Sequence, residues 1–154
     1  MSILIRSFQP GDETAFRDVN LEWIERFFAV EQKDRDVLGN PQKYILDPGG
    51  EILLALDGDM PVGVVALMVM GGGSVELAKM GVRPAAQGKG AGRLLVAGAI
   101  AKARQMGMRR VYIETNSKLG PALKLYHDAG FMPLREAIPS PYARADVQLE
   151  LFLH

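Results

Sequence analysis

The residues best suited to chemistry in this chain lie in one run, Val82-Arg-Pro-Ala-Ala-Gln87-Gly88-Lys89-Gly90-Ala91-Gly92-Arg93. A strand-like stretch precedes the run and a helix-like one follows it. Its backbone N–H groups therefore converge with the N-terminus of a helix. Unpaired donors and the positive end of the helix dipole point the same way, which suits the oxygens of a phosphate. Glycines at 88, 90 and 92 let the backbone approach an anion without a Cβ in the way. Two common nucleotide loops do not fit. A Walker A loop needs Gly, four residues, then Gly-Lys-Ser/Thr, but Gly88-Lys89 is followed by Gly90, and Arg83 stands where the first glycine belongs. The dinucleotide fingerprint fails as well, because Arg93 takes the place of its third glycine.

Composition removes other chemistries. There are no cysteines, so disulfides, thiolate metal sites and cysteine nucleophiles drop out. The two histidines, His127 and His154, are too few and too scattered for a metal cluster, and no metal is expected. Net charge is zero, from 18 basic and 18 acidic side chains, which argues against a nucleic-acid partner. The charge is unevenly spread. Residues 1–78 hold 13 acidic and 6 basic side chains, residues 79–110 hold 8 basic and no acidic ones, and residues 111–154 hold 5 acidic and 4 basic. A solvated helix face accounts for Lys102 to Arg110. Lys79 to Arg93, around the glycine loop, reads instead as a focus for a polyanion.

The elements that must position this loop can be traced along the chain. Ser2 to Phe8 alternates as a first strand. Asp12 is placed to cap a helix from about Thr14 to Val30, with Phe16, Val19, Trp23 and Phe27 on one stripe. A short helix over Asp34 to Gly39 follows. Glu51–Leu56, Val62–Met70 and Val75–Val82 read as successive strands, turned by Asp57-Gly58-Asp59 and by Gly71 to Gly73. A helix opens at the glycine loop and runs to about Met106, where the row Leu95, Ala99, Ala103 lets it lie close on a sheet. Arg110–Thr115 is a strand, Pro121 starts a helix that Gly130 ends, and Phe131–Ala137 and Ala145–Leu153 are two last strands. No linker or repeat interrupts the pattern, so residues 1–154 are expected to form one α/β domain. The longest apolar run, Pro61 to Met70, is too short to span a bilayer, and the N-terminus lacks the pattern of a signal peptide. The plain expectation is a soluble cytoplasmic protein with no membrane partner.

Val82, Gln87, Gly90 and Gly92 match every fixed place of Val-x-x-x-x-Gln/Arg-x-x-Gly-x-Gly/Ala, and the pattern resembles the acetyl-CoA motif of the GNAT N-acetyltransferases. Glu76-Leu-Ala-Lys-Met80 looks like that family's fourth strand. Ala122-Leu-Lys-Leu-Tyr126-His-Asp-Ala-Gly130-Phe131 looks like its last helix and the strand beyond it. The element order agrees, so the resemblance covers essentially the whole chain. It implies the GNAT acyl-CoA N-acyltransferase fold, a central mixed, mostly antiparallel sheet of six to seven strands flanked by about four helices. The strands before and after the loop helix would splay apart to admit the cofactor.

The resemblance also implies roles. Acetyl-CoA would be the co-substrate and a primary amine of a small molecule or peptide the acceptor, with direct transfer between them. Backbone groups of Met80, Gly81 and Val82 would pair with the pantetheine arm, and the Met80 N–H would support the oxyanion. Gly88, Lys89, Gly90, Ala91, Gly92 and Arg93 would hold the pyrophosphate, with Gln87 shaping the turn. Tyr126 matches the family's tyrosine and would return a proton to the departing thiolate, beside the cofactor. Glu76 and Glu114 both match positions used as the base, and the choice between them stays open. Many relatives carry an asparagine seven residues before the tyrosine, where this chain has Leu119. Asn116, at the strand end, is the nearest candidate to reach the same ligand. The acceptor pocket would be built by the first two helices, where residues 12–36 hold 8 acidic and 4 basic side chains; Glu22, Glu25 and Glu31 would give it an acidic rim, and a solvated helix face explains the same counts. Relatives often pair into dimers, and whether this chain forms a homodimer stays open. The rival on the same fold is a non-catalytic sensor of acyl-CoA.

Overall fold

A computed structural model describes residues 2–154. The chain folds in the order β1 (Ile3–Ser7), α1 (Glu13–Phe27), α2 (Gln32–Gly39), a π-helical turn (Gln42–Leu46), β2 (Glu51–Asp57), β3 (Met60–Gly71) and β4 (Ser74–Val82). A 3₁₀ turn (Pro84–Ala86) leads to α3 (Ala91–Gln105), β5 (Arg110–Thr115), α4 (Gly120–Asp128), β6 (Met132–Pro133) and β7 (Val147–Phe152). One seven-stranded sheet has the order β1-β2-β3-β4-β5-β7-β6. Every neighbouring pair is antiparallel except β4 and β5. Among the described residues no helix is long and apolar enough to cross a membrane.

The expected mixed sheet is therefore present, with seven strands and four α-helices. Two local expectations change. Asp12 stands before α1 but does not cap it. Its carboxylate is taken by the Arg6 guanidinium (2.7 and 3.1 Å) and by the Gln9 N–H (2.7 Å). The expected strand Phe131–Ala137 shrinks to Met132–Pro133, where the ladder with β7 ends after one further bond from the Leu134 N–H to the Gln148 carbonyl (3.1 Å).

Each face of the sheet buries its own core. Val75, Leu77, Val111 and Ile113 pack under α3 through Leu95, Ala99 and Ala103. Ile52, Leu54, Val64 and Ala66 pack under α1 through Phe16, Val19 and Ile24. The small residues of α3 hold its axis close to the sheet, as the i, i+4 row anticipates.

A bulge in β4 joins the two faces. Ala78 pairs with Ala66 and Gly81 with Val64, so Lys79 and Met80 stand together opposite Val65. One extra residue inverts the alternation of a strand. Before the bulge Val75 and Leu77 face α3; after it Met80 and Val82 do, while Gly81 turns to α1. Lys79 absorbs the kink at φ +51°, the only non-glycine with positive φ among the described residues.

Candidate active site

Strands β4 and β5 pair only at Ser74–Glu76 with Arg110–Tyr112. From Leu77 onward β4 has no partner on that side, and the two strands diverge. This is the expected splay, and the bulge at Lys79 lies within it. The sheet opens between a pocket on the α1–α2 face and the glycine loop on the α3–α4 face.

On the loop side, Gly88 and Gly90 adopt φ of +79° and +87°, which L side chains rarely tolerate. The Gln87 side chain donates to the Val82 carbonyl (3.2 Å) and closes the turn on itself. The first intrahelical bond of α3 runs from Leu94 N–H to the Gly90 carbonyl (3.0 Å). The N–H groups of Gly88, Gly90, Ala91, Gly92 and Arg93 thus have no acceptor among the described residues. Donors unpaired in this way at a helix N-terminus are free to receive an anion. A Cβ on Gly92 would stand 2.9 Å from Leu125 Cδ1, so glycine there lets α4 approach the start of α3. Tyr126 of α4 is buried, its ring 6.0 Å edge-on from Phe131. Burial pushes its phenol well above the ordinary tyrosine range, so it keeps its proton at neutral pH. Tyr126 belongs to the α3–α4 face and does not line the pocket on the α1–α2 face.

On the other face the pocket is lined by Trp23 and Phe28 from α1 and its end, Lys33 from α2, Glu76, Ala78 and Lys79 from β4, and Glu114 to Asn116 from β5. Pro141, Tyr142 and Arg144 come from the loop before β7. Both candidate bases are here, in different states. Glu114 accepts from the Tyr112 hydroxyl at one oxygen and from the Ser140 hydroxyl at the other, both at 2.8 Å. Glu76 has no side-chain hydrogen bond among the described residues. Burial, and then the charge of Glu114, raises its pKa to about 7, against the opposing pull of Lys79 and Lys33. A carboxyl poised there can accept a proton near neutral pH. Asn116 lines the pocket but is already engaged: its Nδ2 donates to the Arg144 carbonyl (2.6 Å) and its Oδ1 accepts from Lys118 N–H (2.8 Å).

The pocket's walls include a cluster that sequence reasoning missed. Asp34 is fully buried. It accepts a two-pronged bond from Arg144 (2.6 and 2.7 Å), another from Lys79 Nζ (2.6 Å) and the Glu31 N–H (2.9 Å). These partners hold its pKa near 2 although burial alone would raise it. Tyr142 lies under both cations, 4.3 Å from Lys79 Nζ and 4.6 Å from the Arg144 guanidinium to the ring centre. One signal was available. Lys79 continues the row Val75, Leu77, and a lysine in a core row marks a bulge or a buried partner. Nothing local marked Arg144.

The acidic rim does not form as expected. Glu22 pairs with Arg83 (3.3 Å), while Glu31 caps α2 and takes the Ala143 N–H (3.1 Å). Neither of them, nor Glu25, lines the pocket. The basic run also divides, because the bulge turns Lys79 into the pocket on the α1–α2 face and Glu22 engages Arg83. Lys89 and Arg93 remain as the cations of the loop itself. No group of acidic and histidine side chains among the described residues could hold a metal ion.

Residues 14–131 match the model of the acetyltransferase (GNAT) family. The chain is 32% identical over 145 residues to a mycothiol acetyltransferase of Cellulomonas flavigena, covering 84% of this chain and 40% of that protein. It spans under half the length of the mycothiol acetyltransferases it matches. An uncharacterised N-acetyltransferase of Schizosaccharomyces pombe is 32% identical over 126 residues, with 79% and 77% covered. Among solved structures, a GNAT-family acetyltransferase of Staphylococcus aureus superposes with a TM-score of 0.89 at 19% identity, covering 99% of this chain and all of that one. A Bacillus subtilis acetyltransferase in complex with CoA superposes with a TM-score of 0.74 at 25% identity, covering 99% and 100%.

Proposed function

From the premise that this chain belongs to the acetyltransferase (GNAT) family, we propose that it moves an acetyl group from acetyl-CoA directly to a primary amine of a small molecule or peptide. The observation that carries this reading is the divergence of β4 from β5. It leaves an unpaired strand edge between a pocket containing Glu76 and a cradle of free N–H groups.

The cradle from Gly88 to Arg93 holds the pyrophosphate. The edge from Met80 to Val82 pairs with the pantetheine arm as an added strand, which brings the thioester into the gap. Glu76 takes a proton from the ammonium, directly or through one water, and frees the lone pair. The amine attacks the carbonyl carbon, and the Met80 N–H supports the oxyanion. The C–S bond then breaks, and the thiolate takes the Tyr126 proton. Glu76 is the better base of the pair, because hydroxyls occupy both oxygens of Glu114. Glu114 instead lends its charge to Glu76. The reaction runs where acetyl-CoA is supplied, in the cytoplasm.

The test is an assay of free thiol released from acetyl-CoA in the presence of an amine panel. Amine-dependent release is expected, with Tyr126→Phe losing rate far more than acetyl-CoA affinity. Acetyl-CoA binding without release for any amine contradicts transfer and leaves a sensor on the same fold.

A further inference from the structure

The acceptor pocket is not uniformly acidic. Glu76 and Glu114 stand on it with three cations, Lys33, Lys79 and Arg144. Lys79 and Arg144 converge on one carboxylate, Asp34, and Arg144 also meets Glu31 at 3.5 Å. Lys79 is the more telling of the two. Its side chain is only 4% exposed; of its three ammonium donors one meets an oxygen, on Asp34, and the Tyr142 ring stands 4.3 Å from the nitrogen. A buried ammonium donor that faces a ring in place of an oxygen is satisfied only weakly. The left-handed backbone that turns Lys79 inward at the bulge adds a second cost. Two costs at one side chain on a pocket wall indicate an acceptor that arrives with the ligand.

Resting on the transferase reading above, we infer that the acceptor carries a carboxylate beside its amine. It is an amino acid with an apolar side chain, its carboxylate on Lys79 and Arg144 and its amine toward Glu76. Trp23, Phe28 and Met68 supply the apolar wall for that side chain. That carboxylate supplies oxygen acceptors to the remaining Lys79 donors. The same cations disfavour a polyamine, whose second charge would meet them. The transfer balances as an ordinary acylation: the N–C bond forms, the C–S bond breaks, and the products are the N-acetyl amino acid and CoA thiol.

The experiment is a thiol-release assay at saturating acetyl-CoA with the twenty amino acids, L-phenylalaninamide, phenethylamine and spermidine. L-Phenylalanine or another apolar amino acid is expected to show kcat/KM on the order of 10- to 100-fold above its amide and its decarboxylated amine, the worth of a charge-assisted bond pair. In Lys79→Met that ratio should collapse toward one. Arg144→Gln should lower it too, and serves if Lys79→Met does not fold, as judged by its thermal melt. Equal rates for acid and amide, preference for spermidine, or acetyl-CoA binding with no amino acid acetylated each overturn the inference. Failure to bind acetyl-CoA overturns instead the reading on which it rests.

Discussion

On the α3–α4 side of the cleft the groups offered to a ligand are backbone N–H groups, and the contacts that shape them are short in sequence. Gln87 closes on Val82, five residues away, and Gly88 and Gly90 supply left-handed turns within the same loop. On the α1–α2 side the groups are side chains held by distant partners. Lys79 reaches Asp34 across 45 residues and Arg144 reaches it across 110. The first arrangement suits a ligand that never changes. On the proposed reading, the second would let one fold vary its acceptor by changing a few side chains, while the backbone offered to the cofactor stays fixed.

Breaking the acceptor side at its base should have the largest effect. Glu76→Gln removes the proton acceptor but keeps the shape, so kcat is expected to fall about 100- to 10,000-fold. Acetyl-CoA affinity, measured by titration, should stay within about twofold, because the proposed site for that ligand is on the other face.

Next in size is the framework of that side. Asp34→Ala leaves Lys79 and Arg144 buried without their shared carboxylate. Unpaired buried charge of this kind costs about 3–5 kcal/mol, to be read from denaturant unfolding. A loss below about 1 kcal/mol would mean that the cluster opens to water.

The matching change on the cofactor side is Gly90→Ala. With φ at +87°, an L side chain there costs roughly 1–2 kcal/mol and turns the cradle's N–H groups off target. Acetyl-CoA affinity is expected to drop several-fold while the acceptor preference is untouched. If preference shifts as well, the two sides are coupled through β4.

How much of this was legible follows the same division. Val82, Gln87, Gly90 and Gly92 carry a local pattern with a local consequence, and the strand–loop–helix they imply is present. The sheet, its splay and the family follow from that segment and the helix around Tyr126. Asp34 accepts a local bond from the Glu31 N–H, but the Lys79 and Arg144 that account for its burial lie far along the chain, and Arg144 has no local partner to mark it. Asp12 misled for a related reason. It carries the cap residue's chemistry, but Arg6 on the adjoining strand competes for its oxygens and wins with two charged bonds. Glu22 and Glu31 looked free for a substrate until Arg83 and the Ala143 N–H claimed them.

The smallest expected effect sharpens the role of Glu114. The base must be ionised to act, and Glu76 titrates at about 7, so kcat/KM should rise with pH through that value. Glu114→Gln removes the second cause of the elevation, and the midpoint should move to lower pH. An unmoved midpoint would attribute the elevation to burial alone.

The central claim is that the loop from Gly88 to Arg93 and the open edge of β4 form a site for acetyl-CoA rather than for nucleotides in general. Calorimetric titration with acetyl-CoA, desulfo-CoA and ATP tests it most directly. The expected result is tight one-to-one binding of both CoA ligands and none of ATP. Equal binding of ATP, or no binding of either CoA ligand, would contradict it.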